Sequence, residues 1–87
     1  MKRIDDHTYT LTLTVRNSPG VLVRCAQVFS RRGHNIESLH VAPVPNSFVT
    51  SHMTVSAYGK AASLRQITHQ LEKIVDVIHV DQKEMQQ

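Results

Sequence analysis

The 87-residue sequence has little cysteine and contains no long apolar run. Its one cysteine, Cys25, has no partner for a disulfide, which is typical of a reducing compartment, so we expect a cytoplasmic protein. No apolar run approaches the ~20 residues of a membrane-spanning helix. Residues 1–6 are mostly charged and no apolar signal-peptide core follows them. We therefore predict a protein without a membrane segment.

Aromatic residues are limited to two tyrosines and two phenylalanines. A β-sheet that binds RNA exposes stacked aromatic side chains on its open face. Here Phe29 belongs to the apolar stripe of a helix, and Tyr9 shares the apolar phase of a strand. The net charge of +3 is scattered except at Arg31 and Arg32, whereas a nucleic-acid footprint is a basic patch or stripe. We therefore expect no nucleic-acid partner.

The seven acidic residues and six histidines form no local catalytic or metal-binding pattern. No spacing brings two carboxylates together for acid–base chemistry, and no two histidines are four residues apart. His40 and His52 could still meet from separate strands around a metal ion. Arg16 suits acylphosphatase-like chemistry, but no glycine-rich phosphate loop surrounds it. We predict no catalytic residue, no metal and no cofactor in this chain.

What the chain does contain is an alternation of strand and helix periodicities. From His7 to Val15, apolar and threonine residues alternate, which predicts a strand with one buried and one threonine-covered face. Pro43 and Pro45 limit the second strand to a sheet edge or a frayed end. The predicted elements are strands at 7–15, 35–44, 48–57 and 75–80 and helices at 19–32 and 61–73, with a break at 58–60, a frayed start at 1–6 and a polar tail after Asp81.

The first helix carries the clearest boundary signals. Ser18 suits the N-cap and Pro19 the first helical position, where its missing N–H costs nothing. Gly33 suits the left-handed residue that ends a helix. The predicted apolar face consists of Val21, Leu22, Cys25, Ala26, Val28 and Phe29.

The resulting order is β-α-β-β-α-β. Right-handed crossovers then place both helices on one face of a four-stranded antiparallel sheet, the ferredoxin-like α+β architecture. We predict one domain over residues 1–87, with its core at about 8–82. Because this fold hosts many unrelated functions, the function must be argued from a site.

The two junctions of the first helix are the best candidates for such a site. Free N–H groups at the helix N-terminus attract a carboxylate, and Gly20 would let a ligand approach the backbone. Asn17 offers both donor and acceptor atoms. The same residues also make a good turn and helix cap, so local chemistry leaves both interpretations open.

Three segments resemble one known family. They are LTLTVRNSPGVL at 11–22, VFSRRGHNIESL at 28–39 and LEKIVDV at 71–77. Together they resemble the ACT domain of the small regulatory subunit of acetohydroxyacid synthase (acetolactate synthase), over about residues 8–82. Many members carry a second domain; since this sequence stops at Gln87, it looks like the short, single-ACT type.

The resemblance implies a non-catalytic subunit that binds and activates the catalytic large subunit. It also implies feedback inhibition by valine or another branched-chain amino acid, leucine or isoleucine, bound between the two chains of a homodimer. Thiamine diphosphate, Mg and FAD would reside on the catalytic partner. The alternative is a free-standing ACT-type amino-acid sensor that serves another enzyme or regulator.

The family's effector contacts can be carried over to matching positions. Asn17 would bond the polar end of the effector, and Gly20 would admit its carboxylate. Asn35 and Ile36 would come from the partner chain, at the start of its second strand. The backbone cradle would be lined by Ser18, Pro19, Val21 and Leu22. Because the glycine and the asparagine of the pattern are present, the resemblance predicts a subunit that responds to its effector.

Overall fold

A computed structural model of the protein describes the backbone of residues 6–86 and the side chains of residues 6–82. Of the frayed start predicted for residues 1–6, only Asp6 belongs to the described residues. The rest lies outside them. The elements are β1 (Asp6–Arg16), α1 (Val21–Arg31), β2 (Asn35–Pro43), β3 (Thr50–Lys60), α2 (Ala61–Glu72) and β4 (Val77–Gln86).

The described strands form one sheet of four with the order β2-β3-β1-β4, and every neighbouring pair is antiparallel. The predicted ferredoxin-like β-α-β-β-α-β fold is confirmed. β2 lies at the edge, as its prolines predicted. Neither helix within residues 6–86 is long and apolar enough to cross a membrane.

The core lies between one face of the sheet and both helices. The apolar phase of β1 is almost fully buried, and the threonines of the other phase remain partly exposed. One apolar cluster joins the sheet to the helices, so both helices cover the same face. From the helices it includes Val21, Cys25, Phe29, Leu64, Ile67 and Leu71. Burial raises the pKa of the Cys25 thiol to about 11.

The strands β3 and β4 both extend further toward the C-terminus than predicted. The break predicted at residues 58–60 is wrong, because β3 continues through Tyr58 and Gly59 to Lys60 and pairs with the start of β1. The polar tail predicted after Asp81 is also wrong up to Gln86, because β4 continues along β1. Backbone pairing with the long β1 overrides the weak strand preference of these polar residues.

Several apolar side chains of α1, β2 and the β2–β3 loop remain exposed. Leu22 belongs to the predicted apolar face of α1 but is 41% exposed. Leu39 and Val41 share the helix-covered face of the sheet with their partners on β3, yet they are 41% and 46% exposed at the uncovered edge. Val49, predicted within the third strand, precedes β3 and is 68% exposed.

Candidate functional site

The β1–α1 turn, residues 17–20, is held from the strands on both sides. The Asn17 amide donates to the Val49 carbonyl at 2.8 Å, just before β3. The Arg16 amide donates to the Asp76 carbonyl at 2.8 Å, just before β4. These backbone bonds fix the direction in which the chain leaves the sheet.

The side chain of Asn17 is oriented by Ser51, a residue that the sequence analysis missed. Ser51 is 4% exposed and donates its hydroxyl to Asn17 Oδ1 at 2.5 Å. The group that Asn17 offers to a ligand is then its amide nitrogen, which only donates. The sequence did contain a signal for Ser51: it lies two and four residues before Met53 and Val55, so it shares the buried side of β3 with them.

The predicted capping role of Ser18 is wrong. Its hydroxyl donates to Asp76 Oδ2 at 2.6 Å instead of capping the helix. α1 begins at Val21, two residues later than predicted, with Gly20 as the N-cap and no side-chain hydrogen bond to the cap. A charged acceptor makes a stronger hydrogen bond than the backbone N–H groups would with a neutral hydroxyl, so the tertiary contact prevails over the local signal.

Gly20 adopts a left-handed conformation with φ of 84°. A Cβ at this position would lie 3.8 Å from Nη2 of Arg24, so the guanidinium lies beside the start of the helix. Arg24 Nη1 lies 3.4 Å from Asp76 Oδ2, and its side chain is 53% exposed. The first turn of α1 contains no acidic residue. The Val21 N–H donates to the Ser18 carbonyl at 3.3 Å, and within the described part of the chain the next N–H groups of α1 are left available to an anion.

The remaining predicted residues of this junction play different parts. Pro19 and Leu22 are exposed and available to a ligand or a partner. Val21 is 7% exposed and packs in the core, so it can line a site only through its backbone.

The second junction joins α1 to β2. Asn35, the first residue of β2, is exposed, and Ile36 packs partly buried against the core. His34 precedes them and is 5% exposed; its Nδ1 and the Tyr9 hydroxyl form a hydrogen bond of 2.7 Å. The imidazole lies directly over Gly59, where a Cβ would come within 2.4 Å of the ring. The start of β2 is thereby fixed against the core.

Burial lowers the pKa of His34 below its ordinary 6.5, and the nearby Asp6 opposes this only in part. The unfolded chain then binds more protons than the folded chain as the pH falls through about 6.5, so acid favours unfolding. We expect the free energy of unfolding, measured in urea, to fall between pH 7.5 and 5.5. His34→Gln should flatten this slope and the exposed His52→Gln should not; equal slopes in all three proteins would contradict the assignment.

The two junctions lie at opposite ends of the sheet. Arg16 pairs with Thr50, whereas Asn35 pairs with Tyr58, eight positions further along β3. At ~3.3 Å per residue, the positions on β3 that pair with Arg16 and with Asn35 are about 26 Å apart. The structure therefore does not bring Asn17 and Gly20 together with Asn35 and Ile36 within one chain.

A hollow of about 530 Å³ lies beside Asn17. Its wall is the β2–β3 loop, which supplies mainly apolar side chains. The lining residues are Asn17, Pro43, Val44, Pro45, Asn46, Ser47 and Phe48. This combination suits a small molecule with a polar end and an aliphatic end.

No cluster of three metal-ligating side chains occurs within the described part of the chain. His40 and His52 lie on adjacent strands, opposite Thr54 and Ala42, without a third ligand among the described residues. The geometry gives the metal hypothesis for these two histidines no support.

Comparison with known families identifies the chain's relatives. The profile described as AHAS small subunit-like ACT domain, where AHAS is acetohydroxyacid synthase, matches residues 11–79. The acetolactate synthase small subunit of Mycobacterium leprae is 44% identical over 77 residues, which are 88% of this chain and 45% of that protein. The isozyme 3 small subunit of Escherichia coli is 43% identical over 72 residues, or 83% of this chain and 44% of that protein. The chain thus spans somewhat less than half the length of these relatives.

Solved structures show the same fold. The acetolactate synthase small subunit of Thermotoga maritima is similar with a TM-score of 0.74 and 31% identity, over 86% of this chain and 46% of that one. The ACT domain of the GTP pyrophosphokinase of Chlorobium tepidum has a TM-score of 0.74 at 15% identity, over 90% of this chain and 99% of that one. The second likeness concerns the fold alone.

Proposed function

The chain belongs to the family of AHAS small subunit-like ACT domains, and from this premise we propose that it is a non-catalytic regulatory subunit of acetohydroxyacid synthase. It binds valine or another branched-chain amino acid between two copies of itself and thereby inhibits the catalytic large subunit, which it otherwise activates. Thiamine diphosphate, Mg and FAD belong to that large subunit. The observation that carries the proposal is the open N-terminus of α1 beside Asn17 and the apolar hollow.

This junction offers complementary groups to a free amino acid. The effector carboxylate accepts hydrogen bonds from the N–H groups of Leu22 and Val23, since the Val21 N–H already donates to the Ser18 carbonyl at 3.3 Å. At Gly20 no side chain obstructs the approach to the backbone.

The amide nitrogen of Asn17 is directed by Ser51 and donates to the same carboxylate. The branched side chain enters the hollow beside Val44 and Phe48. Because the Phe48 side chain is 99% exposed, the burial reaches the roughly 1.5–3 kcal/mol of a fully buried aliphatic side chain only when the second copy covers it.

A homodimer formed through β2 completes the site. Leu39 is the middle residue of β2, and its exposed side chain lies at the open edge with that of Val41. Antiparallel pairing of two β2 strands about Leu39 places the partner's Asn35 opposite Pro43, at the end of the sheet that holds Asn17. It also covers an edge strand, which natural proteins rarely leave open.

Inhibition follows if the effector binds one arrangement of the complex more tightly than another. A differential of ~1–3 kcal/mol produces a 5–150-fold effect. The β2–β2 interface can supply this difference in binding free energy. The effector contacts both copies, so a change in how the two copies are arranged changes the contacts. The catalytic subunit then responds to a change in the dimer, without contact with the effector.

Isothermal calorimetry with valine, leucine and isoleucine tests the function directly. We expect saturable heat with at least one of them, on the chain alone or mixed with the large subunit, and none with lysine or glutamate. Absence of heat with all three in both settings would remove the effector proposal. A pull-down from native extract that captures another regulator or enzyme, and no thiamine-diphosphate enzyme, would favour the free-standing sensor.

A further inference from the structure

The start of α1 departs from the local sequence signals at the proposed effector site. Ser18-Pro19 is a strong N-cap and first-turn pair, which predicts a helix from Pro19. In the structure α1 begins at Val21, and Gly20 takes the N-cap position in the left-handed conformation. A tertiary contact must therefore outweigh the local preference.

Asp76 supplies that contact. Its carbonyl accepts from the Arg16 amide at 2.8 Å, and its Oδ2 accepts from the Ser18 hydroxyl at 2.6 Å and from Arg24 Nη1 at 3.4 Å. The carboxylate side chain is only 19% exposed. One residue, 58 positions from Ser18, thus holds the end of β1, the turn and the first turn of α1.

The Arg24 contact is the weakest of the three. It is long, and the arginine side chain is 53% exposed, so water screens most of the attraction. Its cationic group still lies near the α1 N-terminus and offsets the negative charge of Asp76 there. The guanidinium thereby reduces, but does not remove, the repulsion between Asp76 and an anion that approaches the helix.

We propose that Asp76 is a positioning residue of the effector site: by binding the Ser18 hydroxyl it holds Ser18 out of the helix and keeps the N–H groups of Leu22 and Val23 uncapped. This inference rests on the proposed function, because the uncapped groups are those assigned to the effector carboxylate. When Asp76 is absent, Ser18 turns to the helix, Pro19 and Gly20 join its first turn, and the N–H groups are occupied before the effector arrives.

A double-substitution cycle tests this role. Asp76→Ala should weaken valine binding about fivefold, the typical effect of one side-chain cap. In a Ser18→Ala background the same substitution should change valine affinity less than twofold, because no hydroxyl remains to compete. Asp76→Asn should retain most of the affinity, since its amide oxygen can still accept from Ser18. The Arg16–Asp76 backbone bond persists in every variant, so the fold is expected to survive.

A second measurement reports the cause independently of affinity. In Asp76→Ala, the Cα chemical shifts of Pro19 and Gly20 should move to helical values, and in the double variant they should not. The inference is overturned if Gly20 stays left-handed in Asp76→Ala, or if that substitution costs the same affinity with and without Ser18. Failure of the unsubstituted protein to bind any branched-chain amino acid would instead remove the proposed function.

Discussion

Replacing Gly20 by aspartate is expected to abolish valine binding while leaving the protein folded. The backbone at Gly20 has φ of 84°, where a side chain costs roughly 1–2 kcal/mol. The new carboxylate would extend toward Arg24, whose Nη2 lies 3.8 Å from the position of the Cβ. It would occupy the anion position at the α1 N-terminus and repel the effector, a loss on the order of 100-fold in affinity by calorimetry.

Gly20→Asn is the matched control for this substitution. Asparagine has nearly the same shape and tolerates the left-handed conformation better than most residues, but it carries no charge. We expect this variant to lose less than about tenfold in valine affinity, because its side chain takes up space but does not repel the effector carboxylate by charge. If both variants lost affinity equally, a steric effect would explain the result and the carboxylate would not lie at Gly20. Circular dichroism and urea unfolding verify that each variant is folded.

Two variants that each fail to bind valine are expected to restore binding when they are mixed. Gly20→Asp damages the β1–α1 turn, and Asn35→Ala damages the start of β2, which the proposal assigns to the opposite chain of the same site. In a mixed dimer one site carries both substitutions and the other carries none. Random exchange makes about half of the dimers mixed, so about a quarter of all sites should bind valine again.

A pair of variants in the same junction provides the control for this mixing experiment. Gly20→Asp mixed with Asn17→Ala leaves a substitution in the turn of every site, and no binding should return. The measured quantity is the calorimetric stoichiometry after subunit exchange, or after co-expression where exchange is slow. Restoration by both pairs, or by neither, would show that the two junctions do not form a shared site.

The sequence predicted those parts of the fold that depend on local pattern. Alternation in β1 and the apolar face of α1 identified much of the core, and the prolines near the end of β2 predicted an edge strand or a frayed end. The errors occurred where a distant residue overrides a local signal. Gly59 looked like a strand break, but it lies within β3 because it pairs with His7 of β1. The His34 ring packs against its backbone and leaves no room for a side chain, so glycine is required there.

The same limit applies to the candidate site. Local chemistry marked the turn residues Asn17 and Gly20 as candidates, and the resemblance assigned them their roles. In the structure they lie in a turn before the N-terminus of α1. Their supports were not predicted: Ser51 is 34 positions from Asn17, and Asp76 is 58 from Ser18. No spacing rule links residues that meet only after the sheet has formed, so these contacts required the structure.

In the proposed homodimer, the placement of the two junctions at opposite ends of the sheet would also link effector sensing to protein concentration. A site built from one junction of each copy does not exist in a separated chain, so the effector stabilises the dimer by mass action. Dilution below the dimer dissociation constant would weaken apparent valine affinity without any change in the contacts. Conversely, a rise in valine would recruit separated chains into pairs. The abundance of the subunit in the cell would then set its sensitivity to the amino acid, alongside the chemistry of the binding groups.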